Sequence, residues 1–335
     1  KKLMVDLYFA FRFPIHFMGN NDGWDVSVLK RLFAGGTASA SAKTLVAPFE
    51  RAKILLQTQN LLGDKVPVKY SGVIDVLRRI PVEQGLIAFW RGNFTNCCRI
   101  IPTYALRFTL FDKYKELVLK SFGRSPHTTG PLPLHLQVLP ACLSGANTIL
   151  VTYPLDLLRT RMNADTARSG HTVYKGLPAA IRSVISQERG LVSFYKGFFI
   201  SVVEITPYVG ISLGGYNYLK SRYSPQLADS SAPKWQQVVW KNWSSLMFGW
   251  VSGLAGSLVC YPLDSIKRHL MIDGSLVAGG KDKYQGKLRR VVRTIYAEAG
   301  LKGFYRGCLI NAVNSGPAVA ITFVLNDALR SALNC

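Results

Sequence analysis

Three copies of one pattern constrain this chain more than any other feature of its sequence. Each copy opens with Pro-x-acid-x-x-base, as Pro48-Phe-Glu50-Arg-Ala-Lys53, Pro154-Leu-Asp156-Leu-Leu-Arg159 and Pro262-Leu-Asp264-Ser-Ile-Lys267. A second pattern follows in phase: Tyr-x-Gly, then Glu-x-Gly-Leu, then two aromatic residues, a base and a glycine. The glycines that end its first and last elements are Gly72, Gly92, Gly176, Gly197, Gly286 and Gly307. An ordered set of this length, repeated three times, indicates three homologous units.

Each unit predicts a long helix containing the proline, a loop, a short amphipathic helix, a glycine turn and a second long helix. Six segments of about 20 residues are mostly apolar but carry a few polar side chains, as expected for spanning helices that turn these side chains toward a water-filled interior. The segments are Phe33–Phe49, Leu134–Leu158 and Leu246–Leu263 and, less cleanly, Ile100–Leu119, Val202–Leu219 and Ala312–Leu333. One unit alone cannot bury its polar face, so three must close around a common axis. We therefore predict an all-α membrane protein, against the alternative of buried helices in a large soluble α protein.

The repeat also divides the chain into four parts. Residues 1–27 form a basic and aromatic amino-terminal extension without the sustained apolar core of a secretory signal, and we assign it no function. The three repeats occupy residues 28–125, 126–235 and 236–335.

Composition narrows the class of protein. Lys and Arg number 41 against 19 Asp and Glu, a net charge of +22, which favours polyanionic partners such as nucleic acid, anionic lipid or phosphorylated small molecules. Because 48% of the residues are hydrophobic and only 18% are charged, a membrane protein is favoured over a soluble nucleic-acid binder. The six cysteines form no CxxC and no Cys/His metal spacing, and no P-loop or nucleophile elbow is present. We expect neither a metal nor a cofactor, and no enzyme.

The charged residues beside each proline have a physical explanation in a bundle. An interior proline removes one backbone hydrogen bond and bends the helix, and neighbouring helices or water can satisfy the freed carbonyl. The acid and the base lie three residues apart, on one helix face. At the ends of three helices around an axis, three acids and three bases can pair between neighbours in a ring that opens reversibly. The alternative is three surface salt bridges, each worth a few tenths of a kcal/mol.

These patterns resemble the mitochondrial carrier family, and the resemblance spans residues 28–333. It implies six tilted transmembrane helices, three short matrix-side helices, threefold pseudosymmetry and alternating access in the mitochondrial inner membrane. It implies that the six signature acids and bases form the matrix-side gate, with Gln57 as a glutamine brace; the equivalent positions Asn163 and Met271 depart from glutamine. It also matches the six glycines above to cardiolipin sites, where backbone N–H groups approach a lipid phosphate. The alternative interpretation is that these glycines only form the turns.

Within the family, the first repeat most resembles the ADP/ATP carriers, through Ala42 to Arg51, Ile80 to Gly85, Arg91 to Asn93 and Arg99 to Thr103. This resemblance assigns phosphate binding to Lys43 and Arg99, which otherwise serve in an ionic network or in helix packing. Tyr208 lies near the adenine-stacking tyrosine of those carriers, Ile205 matches an aliphatic residue on the fourth helix, and Arg268 is retained from a run of three arginines. Inward-facing cations suit nucleotide phosphates in a low-dielectric cavity.

Other positions depart from those carriers. Glu204 replaces a glycine, where it either repels phosphate or pairs with Arg99 or Arg107, and Asn314 replaces an arginine. The family's cytoplasmic gate pattern is kept at Asp112 and Lys115, but Asn217 has lost the acid of the second copy. On the family's pairing rule, Asp112 with Lys220 is the one pair that survives.

Two functions therefore compete. The first is an antiporter of adenine nucleotides across the inner membrane, with ADP or ATP as substrate and cardiolipin as a bound lipid. The second is a carrier-fold protein whose transport sites have degraded and which serves as an accessory subunit of a respiratory complex. Nucleic acid is not expected as a partner of either.

Overall fold

The computed structural model describes residues 26–59, 70–124, 132–166, 172–188, 190–227, 234–280 and 282–313. The first two repeats each supply two long helices with a short helix between them, as the sequence predicts, and the third supplies one long helix, a short helix and the start of another helix within the described residues. Eight α-helices lie entirely within the described residues: α1 (Val26–Thr58), α2 (Val73–Gln84), α3 (Asn93–Ser121), α4 (Leu134–Ala164), α5 (Leu177–Gln187), α6 (Phe198–Leu227), α7 (Lys234–Ile272) and α8 (Leu288–Ala299). A further helix begins at residue 308 and is described to residue 313. The amino-terminal extension to residue 25 and Asn314 lie outside the described residues, as does most of the predicted segment Ala312–Leu333.

The signature prolines lie inside helices, because the bundle tolerates the backbone bond that each of them removes. Pro48 lies within α1, Pro154 within α4 and Pro262 within α7. Among the described residues, three segments are long and apolar enough to cross a membrane by length and composition: Leu134–Ala164, Gly190–Tyr223 and Trp243–Ile272.

A short 3₁₀ turn separates each short helix from the glycine that starts the next long helix. The three turns are Leu86–Trp90, Gly190–Tyr195 and Gly300–Tyr305. The glycines that follow them, Gly92, Gly197 and Gly307, have φ values of 76°, 83° and 79°. This left-handed backbone costs little only for glycine, which explains the residue type at the end of the second sequence pattern.

The largest packed clusters lie at the end of the bundle that carries the six signature acids and bases, the predicted matrix-side gate. Its largest cluster joins Tyr153 and Leu157 of α4 to Met271 of α7 and Val291 of α8. A second cluster joins Leu55 and Ile80 of the first repeat to Ile310 of the third. The short helices are therefore fixed to the gate by apolar contacts, and the first and last repeats meet there.

Candidate functional site

A cavity with charged side chains in a largely apolar wall lies between α3, α4, α6 and α7. Its volume is about 250 Å³. Arg99 and Arg107 enter it from α3, Glu204 from α6 and Lys267 from α7, while small hydroxyl and aliphatic side chains supply most of the remaining wall. Three cations against one carboxylate give the wall a net positive charge, which suits an anionic ligand.

Three of the five predicted substrate ligands line this cavity. Arg99 lies on one wall, and Ile205 and Tyr208 lie together on another. The Nε atom of Arg99 is buried and has no hydrogen-bond partner among the described residues. The cavity therefore combines an under-satisfied guanidinium with an aromatic side chain across from it.

The other two predicted ligands, Lys43 and Arg268, do not line this cavity. The Nζ atom of Lys43 lies 2.6 Å from Glu50 Oε1. The guanidinium of Arg268 lies 3.3 Å from Asp264 Oδ1, one turn earlier on α7. Both cations are paired with acids of the matrix-side gate, which is the network role that the sequence left open for Lys43.

Two contacts of the matrix-side gate join neighbouring repeats. Lys53 donates to Asp264 Oδ2 at 2.9 Å, which links the first repeat to the third. Arg159 pairs with Glu50, which links the second repeat to the first. Gln57 donates to the same oxygen of Asp264 at 3.4 Å, so the side chain predicted as a brace lies against the Lys53–Asp264 pair.

The third corner of the gate has a different arrangement. Lys267 Nζ lies 2.9 Å from Glu204 Oε2 and 3.4 Å from Asp264 Oδ1. Asp156, the acid that the ring would give to Lys267, lies 3.8 Å from Arg99 Nε. Glu204 thus pairs with Lys267, whereas the sequence suggested Arg99 or Arg107 as its partner.

The opposite end of the bundle is not closed by the predicted pair. Within the described part of the chain, Asp112, Lys115 and Lys220 have no ionic partner within 4.0 Å. Asn217, which has replaced an acid, donates to Gln137 Oε1 on α4 at 3.2 Å. In this conformation ion pairs between repeats are therefore present at the matrix-side gate, while the predicted Asp112–Lys220 pair is absent.

Each glycine turn lies against the signature helix of the following repeat. A Cβ atom at Gly92, Gly197 or Gly307 would lie 3.1, 3.2 or 3.3 Å from the carbonyl oxygen of Arg159, Lys267 or Lys53, respectively. Each of these carbonyls belongs to a base of the matrix-side gate. Glycine is required here both for the backbone angle and for this close approach.

Basic residues beside the turns tie neighbouring repeats together. Lys196 Nζ donates to the carbonyl oxygen of Asp273 at 2.9 Å, and Arg91 Nη1 donates to that of Asp165 at 3.2 Å. The carboxylate of Asp273 also accepts the backbone N–H of Tyr284. Burial raises the pKa of Asp273 and lowers the pKa of Arg91, because each charged form loses hydration.

A surface cavity of about 420 Å³ lies where the first repeat meets the third. Gly72 and Tyr70 line it from the first repeat, and Arg306 and Gly307 line it from the third. Two of the predicted cardiolipin glycines, more than 200 residues apart in the chain, therefore share one cavity with an arginine.

Sequence reasoning missed two fully buried arginines, Arg161 in the second repeat and Arg51 in the first. Arg161 of α4 donates to the backbone oxygen of Met271 and makes a two-pronged ion pair with Glu188. The available signal was a second base two residues after Arg159, together with the acid of the Glu-x-Gly pattern.

The first repeat has a related cluster without a carboxylate at the centre. Arg51 is fully buried and donates to Gln84 Oε1 at 2.8 Å and to the carbonyl oxygens of Ala88 and Asp165. Arg91 donates to the same oxygen of Gln84 at 3.0 Å. A single amide oxygen therefore accepts from two guanidinium groups.

Comparison with known proteins agrees with this architecture. A family model described as mitochondrial carrier protein matches residues 25–122, 130–227 and 240–335. ADP/ATP translocase 3 of Homo sapiens is 34% identical over 92% of this chain and 98% of its own length. A mitochondrial adenine nucleotide transporter of Arabidopsis thaliana is 31% identical over 92% and 88%. Solute carrier family 25 member 16 of Bos taurus is 30% identical over 90% and 88%.

Proposed function

The chain belongs to the mitochondrial carrier family, whose members are transporters, and we propose that it exchanges adenine nucleotides by alternating access. It is a multi-pass protein of the mitochondrial inner membrane. The observation that carries the substrate proposal is the cavity that places Arg99 and Arg107 opposite Tyr208.

The two arginines are the phosphate ligands of this proposal. Arg99 and Arg107 lie two turns apart on α3 and face the same cavity. A guanidinium forms charge-assisted, two-pronged hydrogen bonds with phosphate, and such bonds strengthen in a low-dielectric cavity. Tyr208 on α6 offers an aromatic face to a purine. Two relatives named for ADP/ATP or adenine nucleotide transport support the same substrate class.

The gates supply the access cycle of this proposal. The pairs Lys53–Asp264 and Arg159–Glu50 close the matrix side in the described conformation. Substrate then enters from the opposite side, where Asp112 is unpaired within the described ranges. Exchange follows when the matrix-side pairs separate and Asp112 pairs with Lys220.

Cardiolipin is the lipid that we propose for the cavity between Gly72 and Gly307. The cavity places the start of α2, with its free backbone N–H groups, beside Arg306. A helix start and a guanidinium both favour a phosphate group. The equivalent glycines of the other repeats are proposed to bind lipid in the same way.

Exchange of labelled ADP by purified protein in cardiolipin-containing proteoliposomes tests the substrate proposal. We expect uptake into ADP-loaded vesicles, and a loss of about 10- to 100-fold for Arg99→Ala, since a hydrogen bond to a charged group contributes about 1.5–3 kcal/mol. Arg79→Ala is the matched control because Arg79 is a half-exposed surface residue of α2, paired with Asp75 one turn away. Absence of uptake for every nucleotide tested would refute the proposal.

The ion pairs that Lys43 makes with Glu50 and Glu204 makes with Lys267 favour a second function. Lys43 is held by Glu50, and Glu204 places a carboxylate in the cavity where phosphate would bind. A carrier fold retained as an accessory subunit of a respiratory complex needs its packing but not its substrate ligands. Stable co-purification with such a complex, by a protein without exchange activity, would support this function.

A further inference from the structure

The three corners of the matrix-side gate are related by one pairing rule, and the third corner departs from it. At two corners the acid of one repeat pairs with the base of the next: Glu50 with Arg159, and Asp264 with Lys53. The same rule gives Asp156 to Lys267. Instead, as the site geometry shows, each of these two side chains is bound by a residue of the cavity.

The cavity residues that intervene are Glu204 and Arg99. Glu204, Arg99 and Lys267 all line the same cavity, so they face one another across a small space. Lys267 lies 2.9 Å from Glu204, and Arg99 lies 3.8 Å from Asp156. The side chains of Glu204 and Lys267 are only 19% and 14% exposed, so neither is readily satisfied by bulk water alone.

We propose that Glu204 competes with Asp156 for Lys267, and that the third corner of the gate rearranges by exchange of partners. In the described arrangement Lys267 is bound to Glu204 and Arg99 to Asp156. In the exchanged arrangement Lys267 binds Asp156, and Arg99 binds Glu204 or an anion in the cavity. When Arg99 binds Glu204, two cations pair with two carboxylates in both arrangements, so this exchange leaves no buried charge uncompensated, which would be the costly outcome. When Arg99 binds an anion instead, Arg107 is the remaining cation of the cavity that can compensate Glu204.

This exchange couples the gate to the contents of the cavity. An anion that binds Arg99 removes the partner of Asp156, and Asp156 is then free to draw Lys267 from Glu204. The coupling to substrate rests on the proposed transport function, whereas the competition between the two carboxylates does not. Glu204 is thus a positioning residue that acts on the gate through Lys267.

A cycle of isosteric variants tests the competition in the purified, substrate-free protein. The singles Glu204→Gln and Asp156→Asn each leave Lys267 one of the two carboxylates, so we expect small losses in Tm. The double variant leaves neither, and its loss should exceed the sum of the two single losses. In a Lys267→Met background this excess should vanish, because the residue for which the carboxylates compete is gone. If the Tm losses of the two single variants simply add when Lys267 itself is retained, the proposal is overturned.

Carbodiimide cross-linking of the single variant gives a second measurement, which does not require the double variant to fold. The reagent joins an amine to a carboxylate in direct contact, and peptide mass spectrometry locates the amide. We expect Lys267 to cross-link with Glu204 in the wild type and with Asp156 in Glu204→Gln. Its contact with Asp264 is common to both proteins and serves as the internal control. A Glu204→Gln protein in which Lys267 joins Asp264 alone would overturn the exchange.

Adding ADP or inorganic phosphate to the wild type separates this inference from the proposed function. A shift of the cross-link from Glu204 to Asp156 with ADP supports both. A shift in Glu204→Gln without any response to ADP or phosphate supports the exchange and counts against a nucleotide substrate. ADP transport by a protein whose cross-links never shift supports transport and overturns the exchange.

Discussion

Three glycine-to-alanine variants separate the two roles that the sequence left open for glycine, turn formation and lipid binding. Gly72 has an extended backbone with φ −179°, and a Cβ there meets nothing within 4 Å. Gly279 has a left-handed backbone with φ 80° and ψ 19°, again in open space. Gly92 combines φ 76° and ψ −4° with a Cβ position 2.8 Å from Asn163 Oδ1. An alanine therefore meets no strain and no overlap at Gly72, backbone strain alone at Gly279, and both backbone strain and a steric overlap at Gly92.

The expected free energies of unfolding follow from these geometries. Without lipid, Gly72→Ala should be unchanged or more stable by up to about 1 kcal/mol, because alanine reduces the entropy of the unfolded chain. Gly279→Ala should lose about 1–2 kcal/mol from the left-handed backbone. Gly92→Ala should lose the same amount plus about 1–3 kcal/mol, because the added methyl must displace the Asn163 side chain and approach the Arg159 carbonyl.

Thermal unfolding in detergent, with and without added cardiolipin, measures both roles. Cardiolipin should raise the Tm of the wild type and of Gly279→Ala equally, since Gly279 lies outside the proposed lipid cavity. Gly72→Ala should gain less, because its methyl stands where a phosphate must approach the backbone, and tenfold weaker binding at that site removes about 1.4 kcal/mol of lipid-linked stabilisation. A full cardiolipin response in Gly72→Ala would refute the lipid contact. Equal losses in Gly92→Ala and Gly279→Ala would refute the steric argument.

Two further predictions concern buried polar contacts. Glu188→Gln should lower the Tm, because it removes a carboxylate from the fully buried Arg161. Gln84→Glu should raise the Tm, because it supplies a carboxylate to the buried arginines of the first repeat. Thermal unfolding measures both changes, and a stabilised Glu188→Gln protein would contradict this reasoning. Gln57→Ala should cost about 0.5–1.5 kcal/mol from its hydrogen bond to Asp264, and it should cost less in an Asp264→Ala background, where no side-chain oxygen is left to accept from Gln57; an equal cost in both backgrounds would contradict the contact as the cause.

The sequence predicted the elements that depend on local pattern and repetition. The interior prolines Pro48, Pro154 and Pro262 are within long helices, as expected, because three in-phase copies reveal what a single copy would leave ambiguous. The 3₁₀ turns before Gly92 and its equivalents were not predicted, since their residues have no periodicity that distinguishes them from the end of the short helix.

The sequence was a poorer guide to which acid pairs with which base in the gate. Arg159 and Lys53 have the partners that threefold symmetry gives them, but Lys267 has two carboxylates within reach. Its preference for Glu204 is decided by distances of a few ångströms between α6 and α7, which no spacing along the chain encodes. The sequence identified Glu204 as a departure and proposed a partner for it on the wrong helix. The roles of the predicted substrate and lipid residues stay predictions until the assays above are made.

The contacts of the first repeat also bear on the order in which the protein is assembled. Lys53 is synthesised early, yet its hydrogen bonds at 2.9 Å go to Asp264 and Asn311, which lie 211 and 258 residues later in the chain. The Arg51 side chain likewise donates one of its hydrogen bonds to the carbonyl oxygen of Asp165, which lies 114 residues later. A newly delivered first repeat therefore lacks both hydrogen-bond partners of Lys53 and one of the partners of Arg51, and contacts of such sequence separation form slowly. Until Asp264 and Asn311 are in place, water must hydrate the Lys53 ammonium, so the first repeat completes its own contacts only after the third has folded against it.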